Sequence, residues 1–239
     1  MINTKITKKR VQNHFAYSFW KYILLVALSI FGWNLIYSVT AYRPPANKTV
    51  NVYIVTYAVG EGATDKLTEM AKPAFPDMEA LNFYSIALPT DDDYYANMQL
   101  STYIGAQEGD VFLLPTTKFN TFAASGLFIP LDEAIADGTI DPQGIDTSKG
   151  YLTLNEENAG ISQSGIFAIP ATELYGLIDL GIDNRDLWIG VTAYSKNPDN
   201  ALKMVNWLIS TFKAEKPDWL VQMEAASPSP SPEQAMPSY

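Results

Sequence analysis

The chain has 239 residues, 47% of them hydrophobic, which is enough to bury the core of one ordinary domain with segments left over. Charge is uneven: Lys5, Lys8, Lys9, Arg10 and Lys21 stand without a single acid in the first 42 residues, and the remainder sums to −15, which argues against binding nucleic acid or anionic lipid through bulk charge. With no cysteine, the chain has no disulfide, thiolate metal site, cysteine nucleophile or lipid-carrying cysteine.

Residues 22–42, YILLVALSIFGWNLIYSVTAY, carry no charge. At about 1.5 Å per residue such a helix spans roughly the 30 Å of a bilayer core. Trp20 and Tyr22 stand at one end and Trp33, Tyr37 and Tyr42 toward the other, as interfacial aromatics do. The basic residues all precede the segment. It therefore reads as a single-pass anchor, with residues 1–21 cytoplasmic and the rest extracellular. A cleaved signal peptide is the rival, because Val39-Thr40-Ala41 resembles a small-residue cleavage site. Length and the crowding of Trp33, Asn34 and Tyr37 favour retention.

Residues 43–48, RPPANK, form a stiff linker. The apolar run 50–57, VNVYIVTY, predicts a strand buried on both faces. Gly60-Glu61-Gly62 follows; it reads as a turn, since it lacks the further glycine and lysine of a phosphate loop. A helix capped by Thr64 or Asp65 then runs to 71, and 79–86 forms a second strand. Thr90 is the expected cap of a helix to about 104, with Asp91, Asp92 and Asp93 in its first turn favoured by the helix dipole. A calcium site is the weaker alternative for these acids. One of Tyr94 and Tyr95 is expected in the core.

Residues 110–115, DVFLLP, predict a third buried strand, followed by helices at 118–125 and 131–136. Residues 137–164 are polar and weakly patterned, and read as loop. Residues 166–170 and 187–194 predict two more strands, with a turn or short helix at 173–180 between them. Asn197 and Pro198 open the strongest helix, 198–212, in which Ala201, Leu202, Val205, Leu208, Ile209 and Phe212 make one stripe. A further turn is expected at 219–223. Residues 227–239, rich in Ser and Pro, predict a disordered tail.

This alternation predicts an α/β fold: one three-layer domain, residues 49–226, around a mostly parallel sheet. Ligands on such sheets bind beyond the carboxyl ends of the strands, here built by 57–62, 115–118 and 170–173.

The stretch 109–133, GDVFLLPTTKFNTFAASGLFIPLDE, resembles extracellular solute-binding proteins of the maltose-binding type, serving bacterial ABC transporters. A strand ending in a ligand-facing residue leads there into a helix closing on y/f-A-x-x-G-l-l-x-x-L-d, matched by Phe122-Ala123-Ala124-Ser125-Gly126-Leu127 and Leu131-Asp132. GIFAIP at 165–170 resembles the strand that crosses to the second lobe, and 187–209 resembles the returning strand and helix. The departures are a missing second lobe, a membrane helix in place of the lipidated cysteine, and Pro115-Thr116-Thr117 where sugar-binding relatives often carry an aromatic and an acid. The resemblance implies one lobe of a periplasmic-binding-protein fold. It further implies an ABC permease or another surface protein as partner, a sugar as possible ligand, and no cofactor.

Catalysis has no candidate constellation, since His14, the single histidine, lies in the basic flank. No acid–base pair for a hydrolase can be selected from 26 acids. Tyr57, Phe119 and Tyr175 are the aromatics nearest the strand ends. Tyr57, Glu61, Thr116, Thr117, Phe119 and Thr172 are expected to line an open face that binds a ligand or a partner.

Overall fold

The computed structural model describes residues 8–156, 160 and 162–226. Lys5 and the expected Ser/Pro tail lie outside them. Two compact units are present, residues 1–43 and 44–239. In the first, α1 (Lys8–Thr40) is one continuous helix that takes in most of the basic flank. Its stretch Ala16–Thr40 includes 18 residues with a mean hydropathy of 1.8 and is long and apolar enough to cross a membrane.

The second unit is built on β1 (Thr49–Thr56), α2 (Ala63–Ala71), β2 (Ala80–Ala87), α3 (Tyr94–Gly105), β3 (Val111–Pro115), α4 (Thr116–Ala124) and α5 (Asp132–Ala136). There follow β4 (Tyr151–Leu154), β5 (Gln163–Ile166), β6 (Ile169–Pro170), β7 (Leu187–Val191), α6 (Pro198–Phe212) and α7 (Asp218–Ala226). The main sheet has the order β2-β1-β3-β7-β6. β1 is parallel to both β2 and β3, whereas β7 is antiparallel to its neighbours β3 and β6. Four strands therefore point one way and β7 the other. The fold is α/β with a mostly parallel sheet, preceded by an apolar helix.

The continuous apolar runs have a direct cause. In β1, Val50, Val52 and Ile54 face α2 and α6, while Tyr53 and Val55 face the layer of α3 and α4. In β3, Val111 and Leu113 divide from Phe112 and Leu114 in the same way. A strand covered on both faces has no polar side to display. The stripe on α6 is buried as its spacing requires, with Met204 added and Leu202 only partly covered.

Several local expectations change. α2 is preceded by Gly62 at φ 69° and carries no side-chain cap, so neither Thr64 nor Asp65 holds that position. α3 is capped three residues later than expected: the Asp93 carboxylate accepts from the Ala96 N–H at 2.8 Å, while Asp91 and Asp92 lie in the turn before it. Asn197 sits at the start of α6 without capping it; its Nδ2 donates to the Thr49 carbonyl at 3.2 Å instead. The expected strand 166–170 is two pieces. β5 pairs with β4 in a separate hairpin, and β6 joins β7, with Phe167 and Ala168 buried between. The polar region 137–164 thus contains most of a hairpin; Leu152 and Leu154 of β4 do turn to the core, but each strand has four residues, too few for pattern alone to mark it.

Candidate functional site

The carboxyl ends of β1, β2, β3 and β6 share one edge of the sheet. Because β7 runs the other way, the loop that feeds it, Asp183-Asn184-Arg185-Asp186, comes to the same edge. Its backbone is tied to the end of β1: the Thr56 hydroxyl donates to the Asp183 carbonyl, and the Asp183 N–H donates to the Ala58 carbonyl at 3.1 Å. Asn184, itself buried, donates to the carbonyls of Ala171 and Thr172 at 3.2 Å each and so joins the end of β6.

Tyr57, half-buried one residue beyond β1, lies at the centre. Its hydroxyl donates to Asp91 Oδ1 at 3.4 Å. Burial, then the charges of Asp91 and Asp186, push its ionisation above that of a free tyrosine, so it stays a neutral donor. Arg185 Nε donates to both carboxylate oxygens of Asp183, at 2.9 and 3.1 Å, which holds that carboxyl below its ordinary range. Lys118 Nζ donates to the Asp91 carbonyl at 2.8 Å.

Thr116 is fully engaged. Its hydroxyl donates to Asp186 Oδ1 and accepts from Trp188 Nε1 at 2.7 Å, and its N–H faces the Asp186 carbonyl at 3.1 Å. Glu61, Thr117 and Thr172 are exposed. Phe119 corrects the expectation of an aromatic on the open face. It is 2% exposed, and its ring stacks on Trp188 at 5.3 Å between centroids and packs on Phe128 at 5.6 Å. The reason is its place on the inner face of α4, against the sheet. Tyr175 is half-buried in the 3-10 turn Tyr175–Leu180.

The loop ahead of α2 is shaped by backbone contact. A Cβ on Gly60 would come within 2.5 Å of the Leu180 carbonyl oxygen, and Gly62 needs its left-handed φ of 69°. Both glycines therefore have steric reasons, as the turn reading of Gly60-Glu61-Gly62 expects. A pocket of about 370 Å³ opens beside this loop, lined by Ala58, Ile178, Ile182, Arg185, Trp219 and Met223 among others. Among the described residues, no cluster of three or more His, Asp or Glu is arranged to hold a metal.

The edge thus brings Tyr57, Thr116 and Thr172 together around the loop 183–186, with Glu61 and Thr117 on its rim. Sequence reasoning missed Lys118, Asp183, Arg185, Asp186 and Trp188, and read Asp91 only as a first-turn acid of α3 or part of a calcium site. The available signal was the charged run DNRD directly before a buried strand. It pointed here only once β7 was known to be antiparallel.

No family model matches this chain, and no curated protein matches it. Two solved structures resemble it in part. One is the ABC substrate-binding protein Lmo0181 from Listeria monocytogenes in complex with cycloalternan. It is 24% identical, with TM-score 0.33, and the match covers 43% of this chain and 25% of that one. The other is the extracellular solute-binding protein family 1 from Alicyclobacillus acidocaldarius subsp. acidocaldarius DSM 446. It is 18% identical, with TM-score 0.35, over 54% of this chain and 28% of that one. The matches thus span little more than a quarter of either protein's length.

Proposed function

We propose that this chain is a non-catalytic binding module, one solute-binding-like lobe held at the outer face of a cell membrane by α1. In this reading it works beside an ABC-type sugar transport system, and its strand-end edge meets a permease or another surface protein. The supporting observation is the chemistry of that edge. Asp186, Thr116 and Trp188 bond one another and Asp183 is paired with Arg185, so these groups make a shaped surface whose hydrogen bonds are spent within it, not on a sugar. Tyr57, Glu61, Thr117 and Thr172 are the side chains this surface offers to a partner.

A second reading, a reduced-size receptor for carbohydrate uptake, has one observation in its favour. The pocket of about 370 Å³ adjoins the edge and carries Trp219, whose ring is suited to stacking on a sugar.

Calorimetry of the full chain in detergent against common mono- and oligosaccharides separates the two. The module reading expects no affinity tighter than about 1 mM, roughly −4 kcal/mol. It also expects a permease subunit to co-purify from native membranes, with recovery reduced by Tyr57→Ala. Micromolar sugar binding that disappears in Trp219→Ala or Tyr57→Ala would establish the receptor instead.

A further inference from the structure

Helix α3 carries a surface that packing does not account for. Its buried side consists of Ala96 and Leu100. On the other side Tyr94, Tyr95 and Met98 are 71%, 75% and 51% exposed, although one of the two tyrosines was expected inside. The tyrosine rings meet edge to face, 5.6 Å between centroids, so they present a shaped aromatic pair to solvent. Tyrosine and methionine are enriched where proteins bind one another, whereas a helix face serving only solvent carries Lys, Glu or Gln.

The charge beside this face is negative. Asp93 is committed to capping the Ala96 N–H, and Asp91 accepts from Tyr57. Asp92 is exposed between them. Lys118 approaches through its contact with the Asp91 carbonyl. The residues after position 42 sum to −15, so an acidic partner, an anionic bilayer or a second copy of this chain would meet repulsion. A guanidinium group fits both features, since it stacks on tyrosine faces and pairs with adjacent carboxylates.

We propose that Tyr94, Tyr95 and Met98, with Asp91 and Asp92 beside them, form a docking platform for an arginine-bearing segment of a partner protein. The proposal rests on the binding-module reading and names the chemistry of the partner.

The probe is a fluorescent peptide of four arginines spaced by Gly-Ser, with a glutamate counterpart, titrated into the full chain in detergent. The arginine peptide should bind and the glutamate peptide should not. Tyr94→Ala with Tyr95→Ala should weaken binding about tenfold or more, and the corresponding pair of phenylalanines should retain it, because the ring faces persist. Asp92→Asn should weaken it about threefold and lower its salt dependence. The alanine pair leaves the net charge unchanged, so undiminished binding would mean attraction by bulk charge and would overturn the platform. If the alanine pair misfolds by circular dichroism, Asp92→Asn with unaltered affinity overturns it equally. Loss in Tyr57→Ala alone would move the contact to the strand-end edge, sinking the platform while leaving the module standing. The module itself is judged by the permease co-purification and the sugar titration.

Discussion

Thr116 and Thr117 are neighbours of the same type with opposite roles. The Thr116 hydroxyl stands between the Asp186 carboxylate and the Trp188 indole, both of which lose a partner if it is removed. Thr116→Val keeps the shape and deletes these bonds, and should cost about 1–3 kcal/mol in urea denaturation of the purified chain. Thr117→Val, at an exposed position one residue on, should change stability by no more than about 0.5 kcal/mol. Equal effects at the two positions would contradict the network. Tyr57 differs from both: it is half-buried, with a single weak hydrogen bond to a side chain, so its removal should be felt in binding more than in folding.

At the scale of elements, α4 is joined to β7 through an aromatic contact. Phe119 of α4 stacks on Trp188 of β7 with an interplanar angle of 14° and also touches Phe128. Phe119→Ala would leave a void among fixed rings, and should cost about 3–5 kcal/mol with a clearly lowered melting temperature. A variant with unchanged stability would place Phe119 outside the core, where it would again be a candidate for ligand stacking. β7 also explains why the edge is charged. As the strand that runs against its neighbours, it delivers the amino-terminal loop 183–186 to the carboxyl ends of the others. Asp183, Arg185 and Asp186 reach the surface around Tyr57 by that route.

At the scale of the molecule, the chain divides at Arg43 and Pro44. The fragment 44–226 contains every strand of the main sheet and both faces of its core. Produced without α1, it should fold in solution as an α/β domain with a single cooperative thermal transition by circular dichroism. A broad melt without a transition would mean that the core requires α1 or a partner chain.

What the amino-acid sequence determined by itself is what local pattern encodes. The charge-free apolar segment 22–42 is legible from length and composition, while strands apolar on both sides and the three-and-four stripe of α6 follow from burial, which acts on each segment directly. Their alternation with helices was enough for the α/β class. The start of α3 was legible to within three residues, but Asp93 takes the cap expected of Thr90, because Asp91 and Asp92 are drawn into the preceding turn. Tertiary structure decided the direction of β7, the splitting of β5 from β6, the burial of Phe119 and the exposure of both Tyr94 and Tyr95. Strand direction and the face a side chain presents depend on which distant segment lies alongside. The pairing energy that selects them is shared between residues more than fifty positions apart, as Thr116 and Asp186 are.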